Sequence, residues 1–176
     1  MPQCHPLPNI WLLTDARNDA ALEDILRRLP HDSGLVFRHY HLSAAQRRAR
    51  FDALARLARS RGHMVVLSGS PAEARRWGAD GAYGAPSTLA RGPATLRLAT
   101  AHSLRELRQA RRADAVLLSP VFPTRSHPGG KVLGPLRFRL LARHSPCPVI
   151  ALGGLNPATA KRLNWPRWAA IDGLLR

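Results

Sequence analysis

Apolar positions along the chain gather into short continuous runs: Ile10-Trp11-Leu12-Leu13, Leu35-Val36-Phe37, Met64-Val65-Val66-Leu67, Ala115-Val116-Leu117-Leu118 and Val149-Ile150-Ala151-Leu152. A strand buried on both faces has this pattern because neither set of side chains meets water, so the runs predict strands of a parallel sheet. Stretches of helical period separate most of them. Three such stretches open with a serine followed three residues later by Gln or Glu: Ser43/Gln46, Ser70/Glu73 and Ser103/Glu106. In a capping box of this kind, each side chain satisfies a free backbone N–H of the other residue. Pro71 and Pro157 occupy the favoured first helical position, the latter after Asn156 and ahead of Ala158 to Leu163.

Weaker strand signals at Gly81-Ala82-Tyr83, Leu96-Arg97-Leu98-Ala99 and Trp168-Ala169-Ala170-Ile171 bring the count to eight. Eight strands with helices between most of them predict an α/β fold of the (β/α)8 TIM type, for which about 250 residues is typical. At 176 residues this is a short barrel in a single domain spanning 1–176. The stretch Pro86 to Pro93 hardly holds a helix, and only Gly173 to Arg176 follow the last strand, so the eighth helix is expected to be missing. An open doubly wound sheet is the alternative architecture.

Composition narrows the setting. No apolar run approaches the roughly 20 residues of a membrane helix, and Met1 to Pro8 lacks the basic start and apolar stretch of a signal peptide. Cys4 and Cys147 lie far apart, outside any CxxC pair, so neither a disulfide framework nor a zinc spacing is expected. A cytoplasmic location without membrane contact follows as the expectation. Cys147, between two prolines, reads as a small buried hydrophobe. The 27 Lys plus Arg against 11 Asp plus Glu give a formal charge of +16, which permits nucleic acid or phosphorylated metabolites as partners. The arginines of Arg47-Arg48-Ala49-Arg50, Arg56 to Arg61 and Arg105 to Arg112 interleave with leucines and alanines, as on a solvated helix face. No aromatic-interleaved basic strand, zinc finger or GXXG loop accompanies them, so nucleic acid is not the expected partner.

Chemistry in a parallel barrel collects at the carboxyl ends of the strands. Two connections there stand out. Ser119 to Lys131 is long and carries Ser119, Thr124, Ser126, His127 and two cations, against the plainer reading of a surface excursion stiffened by its prolines. Gly153-Gly154-Leu155-Asn156-Pro157 follows the seventh strand, where a glycine pair lets backbone N–H groups approach an anion such as phosphate. His39 and His41 share one strand face and could clip a metal, but no carboxylate lies near them in sequence. Tyr83 and Trp11 read as packing residues.

With Ser119-Pro120-Val121-Phe122-Pro123-Thr124 and Pro148-Val149-Ile150-Ala151-Leu152-Gly153-Gly154 in view, the chain resembles the thiamine phosphate synthase/TenI superfamily of barrels. Leu12-Leu13-Thr14-Asp15, Phe37-Arg38, Gly78-Ala79-Asp80-Gly81, Ala113-Asp114 and Thr100-Ala101-His102-Ser103 extend the likeness over nearly the whole chain. The resemblance implies a transferase of thiamine biosynthesis. It would join a hydroxymethylpyrimidine diphosphate to a thiazole phosphate, releasing a pyrophosphate held by Mg2+ and cations. Its partners would be phosphorylated thiamine precursors, and a homo-oligomer stays open.

Carried over by position, the resemblance implies Arg38 near the pyrophosphate, Thr100 in place of a fifth-strand serine, Thr124 and Ser126 as loop hydroxyls, and Gly153 with Gly154 at the thiazole phosphate. Read without it, Arg38 is equally an interior ion-pair residue and Thr100 a helix-entry hydroxyl. The chain departs from the pattern at four places. Ser68-Gly69 stands where the family has Asn-Asp, Ala85 to Ser87 lacks a second aspartate, Tyr40 replaces a lysine, and His127 replaces the lysine closing the loop motif. Ser68 is kept as a substrate-binding candidate. No Mg2+ ligands are matched, so no metal residue is assigned. The histidine of the TenI-like tautomerases is also unmatched, because Pro120 fills its position. His127 is the candidate acid or base, or a cation over a phosphate, with a turn residue as its plain alternative. Two further functions stand beside the enzyme: a non-catalytic or regulatory phosphate-ligand-binding barrel and a basic nucleic-acid-binding protein.

Overall fold

Every apolar run forms a strand in the computed structural model, which describes residues 6–126 and 128–175. The strands are β1 Ile10–Leu13, β2 Gly34–Phe37, β3 Met64–Ser68, β4 Gly81–Gly84, β5 Leu96–Ala101, β6 Ala115–Leu118, β7 Val149–Leu152 and β8 Trp168–Ala170. They pair in parallel in chain order. β1 also pairs with β8, with Trp11 opposite Ala169, so the sheet closes into a barrel and the open doubly wound alternative falls away.

The helices are α1 Leu22–Arg28, α2 Ala44–Ser60, α3 Pro71–Trp77, α4 Pro86–Leu89, α5 Leu104–Gln109, α6 Gly134–Ala142 and α7 Pro157–Leu163. Among the described residues none follows β8, and α4 is a single turn, both as the sequence predicts. Only one of the three expected capping boxes closes in full, that of Ser43 and Gln46 at α2. Ser70 and Ser103 accept the expected backbone N–H groups. The Glu106 carboxylate instead takes the backbone N–H of His102 at 2.7 Å, one residue ahead of the cap. Asn156 makes a box that the sequence reading did not foresee, with Thr159 as its partner.

Alternation along each strand sorts the core into two layers. Trp11, Leu13, Val36, Val66, Leu98, Leu117 and Ile150 fill the barrel interior, while Leu12, Leu35, Val65, Leu67, Val116 and Ala151 face the helices. Both sets are buried, and this is why the runs in the sequence are continuous. Trp11 fills the lower interior because Gly34 opposite has no side chain, and any Cβ there would collide with the indole. The indole Nε1–H donates to the Pro8 carbonyl at 2.9 Å. At the amino ends, Asp80 accepts the Val65 N–H and Asp114 the Arg97 N–H, each at 2.7 Å, so these carboxylates tie strand starts together far from the opposite mouth.

Candidate functional site

The alternation that buries Val36, Val66 and Leu98 carries the next inward positions, Arg38, Ser68 and Thr100, to the carboxyl-end mouth of the barrel. A cavity of about 720 Å³ opens there, and Arg38, Thr100, Thr124, Ser126, Gly153 and Gly154 all line it. Ser68 stands apart from its lining. The Ser68 hydroxyl bonds the Tyr40 hydroxyl, and its carbonyl accepts from Arg47 Nη2 at 2.8 Å. His127 lies outside the described residues.

Arg38 is fixed from both ends. Its backbone N–H donates to Thr14 Oγ1 at 2.8 Å, and Nη2 donates to Asp15 Oδ2 at 3.1 Å. Its Nε is buried without a partner among the described residues, an unmet donor on a charged group. Burial pushes the Asp15 carboxyl upward, but the bonds from Arg17 and the charges of Arg17 and Arg38 outweigh it and hold Asp15 below its ordinary value. Asp15 therefore stays ionised and keeps Arg38 in place. The ion-pair alternative for Arg38 is part of the truth, since the pairing leaves the rest of the guanidinium facing the cavity.

On the opposite wall the Gly153-Gly154 turn packs against the loop after β6. Gly153 has φ +102° and Gly154 φ +63°. A Cβ on Gly153 would stand 2.7 Å from Pro120 Cα, and one on Gly154 2.8 Å from Phe122 Cβ. Only glycine has both the dihedral and the room. Val121 N–H donates to Leu152 O at 2.9 Å and Phe122 N–H to Gly153 O at 3.1 Å, so the two loops form one wall. Thr124 Oγ1 accepts the Ser126 N–H at 3.3 Å.

Four lining residues were given no site role from the sequence, Tyr83 among them having been read as a packing residue. Tyr83 is buried with its phenol toward the cavity, and burial pushes its pKa up to about 12, with Arg38 pulling the other way. His102 continues the inward alternation Leu98, Thr100, His102 beyond the strand end, which is the signal that could have revealed it. Its Nδ1 lies 3.0 Å from the Ser119 carbonyl, so a proton there leaves Nε2 as the free base. Asp172 lines the cavity just past β8, with Oδ1 buried and without a partner among the described residues. Lys131 adds a cation to the same space. Arg17, which no motif marks, pairs with Asp15 at 2.9 Å and Asp172 at 3.3 Å.

A family described as thiamine monophosphate synthase, TMP-TENI, matches residues 11–170. The fold is similar to that of thiamine phosphate pyrophosphorylase from Pyrococcus furiosus, 21% identical, with 96% of this chain and 87% of that one covered at a TM-score of 0.79. It is also similar to thiamine phosphate pyrophosphorylase from Bacteroides thetaiotaomicron, 14% identical over 94% of this chain and 83% of that one, TM-score 0.63. A variant of the citrate synthase SbnG, 9% identical over 94% and 87%, has TM-score 0.62, so at this distance likeness of structure speaks to the fold alone. No curated protein matches the chain. No helix among the described residues is long and apolar enough to cross a membrane.

Proposed function

We propose, from the premise that this chain belongs to the thiamine monophosphate synthase family, that its barrel mouth binds a thiazole phosphate and a hydroxymethylpyrimidine diphosphate and joins them with release of pyrophosphate. The same reading takes residues 1–176 as one barrel domain working in the cytoplasm. The observation that carries it is the convergence of Arg38, Thr100, Thr124, Ser126 and the Gly153-Gly154 turn on one cavity.

In this reading the glycine turn admits the thiazole phosphate because no Cβ stands between it and the backbone. Arg38 and Lys131 offer positive charge to the leaving pyrophosphate, and Thr100, Thr124 and Ser126 orient it with their hydroxyls. Little covalent chemistry is asked of the side chains, so positioning and charge stabilisation supply the rate. His102 Nε2 is placed to hold or accept a proton over the cavity, and His127 is retained as a second candidate for that task.

The family implies Mg2+, which takes hard oxygen ligands and is commonly held by one or two carboxylates. Among the described residues Asp172 is the one carboxylate lining the cavity, and Arg17 holds its Oδ2. At Gly69 the space for a side chain is filled by the Glu73 carboxylate, which faces Arg47 at 3.6 Å. Ala85 to Ser87 bring only a hydroxyl. This donor set does not fit Mg2+, and no step here passes through it.

The same mismatch favours a second reading, a barrel that binds phosphorylated ligands without turning them over. One pair of measurements separates the two: calorimetric titration of thiazole phosphate and of pyrophosphate in EDTA, and an assay of thiamine phosphate formation with and without Mg2+. Binding with product formation supports the synthase, and binding without product supports the binder. Failure of both ligands to bind refutes both.

A further inference from the structure

We propose that Asp19, His39 and His41 form a binding site for a divalent transition-metal ion such as Zn2+, outside the barrel-mouth cavity. One ligand atom from each of the three lies within 4.8 Å of the other two. Sequence spacing gave only the histidine pair. The fold supplies the carboxylate by bringing the short turn before α1 against the segment after β2, with His39 Nε2 2.7 Å from Asp19 Oδ1.

The site is built in its surroundings as well as in its ligands. His39 is fully buried and sits at φ +44°, a left-handed conformation uncommon outside glycine. Its Nδ1 lies 2.7 Å from Thr14 Oγ1, and Asp19 takes Arg50 Nε at 2.8 Å. Metal-bound imidazoles and carboxylates are oriented by outer partners of this kind. Arg50 does not cancel the site, because Glu23 pairs with it, and Asp19, Glu23 and Arg50 together carry one net negative charge.

The proton balance closes. Without metal, Nε2–H donates to Asp19 while Nδ1 accepts the Thr14 hydroxyl proton. With metal, the neutral ring switches tautomer: its one proton sits on Nδ1 and is donated to Thr14 Oγ1, Nε2 is given to the ion, and the ring releases no proton. His41 is exposed, its ring centroid 5.0 Å from that of His39, and it is free to turn onto the ion. Two imidazoles and a carboxylate suit Zn2+, Co2+ or Ni2+ rather than Mg2+ or Ca2+, and water would complete the shell. Thr14 also accepts the Arg38 N–H, so a bound ion would stiffen the platform on which Arg38 stands.

The test uses the full-length protein without an affinity tag. Titration with Zn2+ is expected to show one site, and Co2+ should give the visible d–d bands of a four- or five-coordinate ion. His41→Ala removes a ligand without touching the core and should weaken Zn2+ binding by more than the roughly 10–100-fold that loss of an outer partner costs. Asp19→Asn should also weaken it, while excess Mg2+ should not compete. Absence of Zn2+ binding, or Zn2+ affinity and Co2+ spectra unchanged in both variants, overturns the proposal and leaves scattered surface histidines as the source of any binding.

Discussion

Arg17 reaches across the mouth of the barrel to Ser126, its Nη2 donating to Ser126 Oγ at 2.8 Å between residues 109 positions apart. The same guanidinium pairs with Asp15 and Asp172, so one side chain ties together the loops that follow β1, β6 and β8. Each pair is partly exposed, and such ion pairs contribute at most about 1 kcal/mol each after screening. Their value lies in holding the loop after β6 in register.

Arg17→Ala should therefore lower global stability by no more than about 2 kcal/mol. Amide exchange of the loop after β6 should nonetheless speed up, and thiazole phosphate should bind more weakly. Arg17→Lys should not restore the loop, because an ammonium lacks the planar fork that serves three acceptors at once. Unchanged exchange in the alanine variant would refute the tie.

Gly154→Ala tests the shared wall. The left-handed dihedral alone costs a non-glycine residue about 1–2 kcal/mol. The added Cβ also meets Phe122 Cβ at 2.8 Å and the Pro123 carbonyl. Gly78→Ala is the control, since φ is +72° there and nothing among the described residues lies within 4 Å of an added Cβ. Urea unfolding should show the larger loss at Gly154, together with loss of thiazole phosphate affinity. Equal losses at the two sites would mean the wall gives way freely.

Arg38→Gln keeps much of the side-chain volume and removes the charge. Pyrophosphate affinity measured by calorimetry in EDTA should fall by at least about tenfold, equivalent to about 1.4 kcal/mol. The variant also releases Asp15 from one partner, leaving Arg17 to hold it. Pyrophosphate binding equal to that of the parent would remove Arg38 from the proposed site.

Stability should decline on the acid side through His63. Its Nε2 lies 2.9 Å from the Leu26 carbonyl, while Nδ1 is buried without a partner among the described residues. Burial first, with Arg61 and His31 assisting against Leu26 and Asp32, lowers its pKa from the ordinary 6.5. The unfolded chain thus takes up the proton first as pH falls. Stability is unaffected well above 6.5 and drops below it, by no more than about 1.4 kcal/mol per pH unit for one proton. His63→Gln should flatten the thermal stability profile between pH 7 and 5, and an equally steep profile in that variant would assign the loss elsewhere.

Tyr83 offers a spectroscopic check on burial at the mouth. In a Tyr40→Phe background Tyr83 is the sole tyrosine. Its phenolate absorbance should stay absent at pH 10 and rise only near 12. Ionisation near the ordinary value of 10 would show that the phenol is open to water.

Five strands were legible in the sequence because a barrel strand buries both faces and leaves a continuous apolar run, while β4, β5 and β8 left only weaker signals. The family motifs also pointed to Arg38, Thr100 and the glycine turn at 153–154, and the fold brings all of them to the lining of one cavity. Closure of the sheet, the Thr159 half of the Asn156 cap, and the roles of Arg17, His102 and Asp172 were decided by tertiary structure. Asp19 meets His39 and His41, and Arg17 meets Ser126 and Asp172, only because a closed parallel barrel gathers the loops after all its strands at one end. Contacts across 109 and 155 positions of chain leave no local pattern, because side chains so far apart in sequence are brought together by the curvature of the sheet rather than by the spacing of residues.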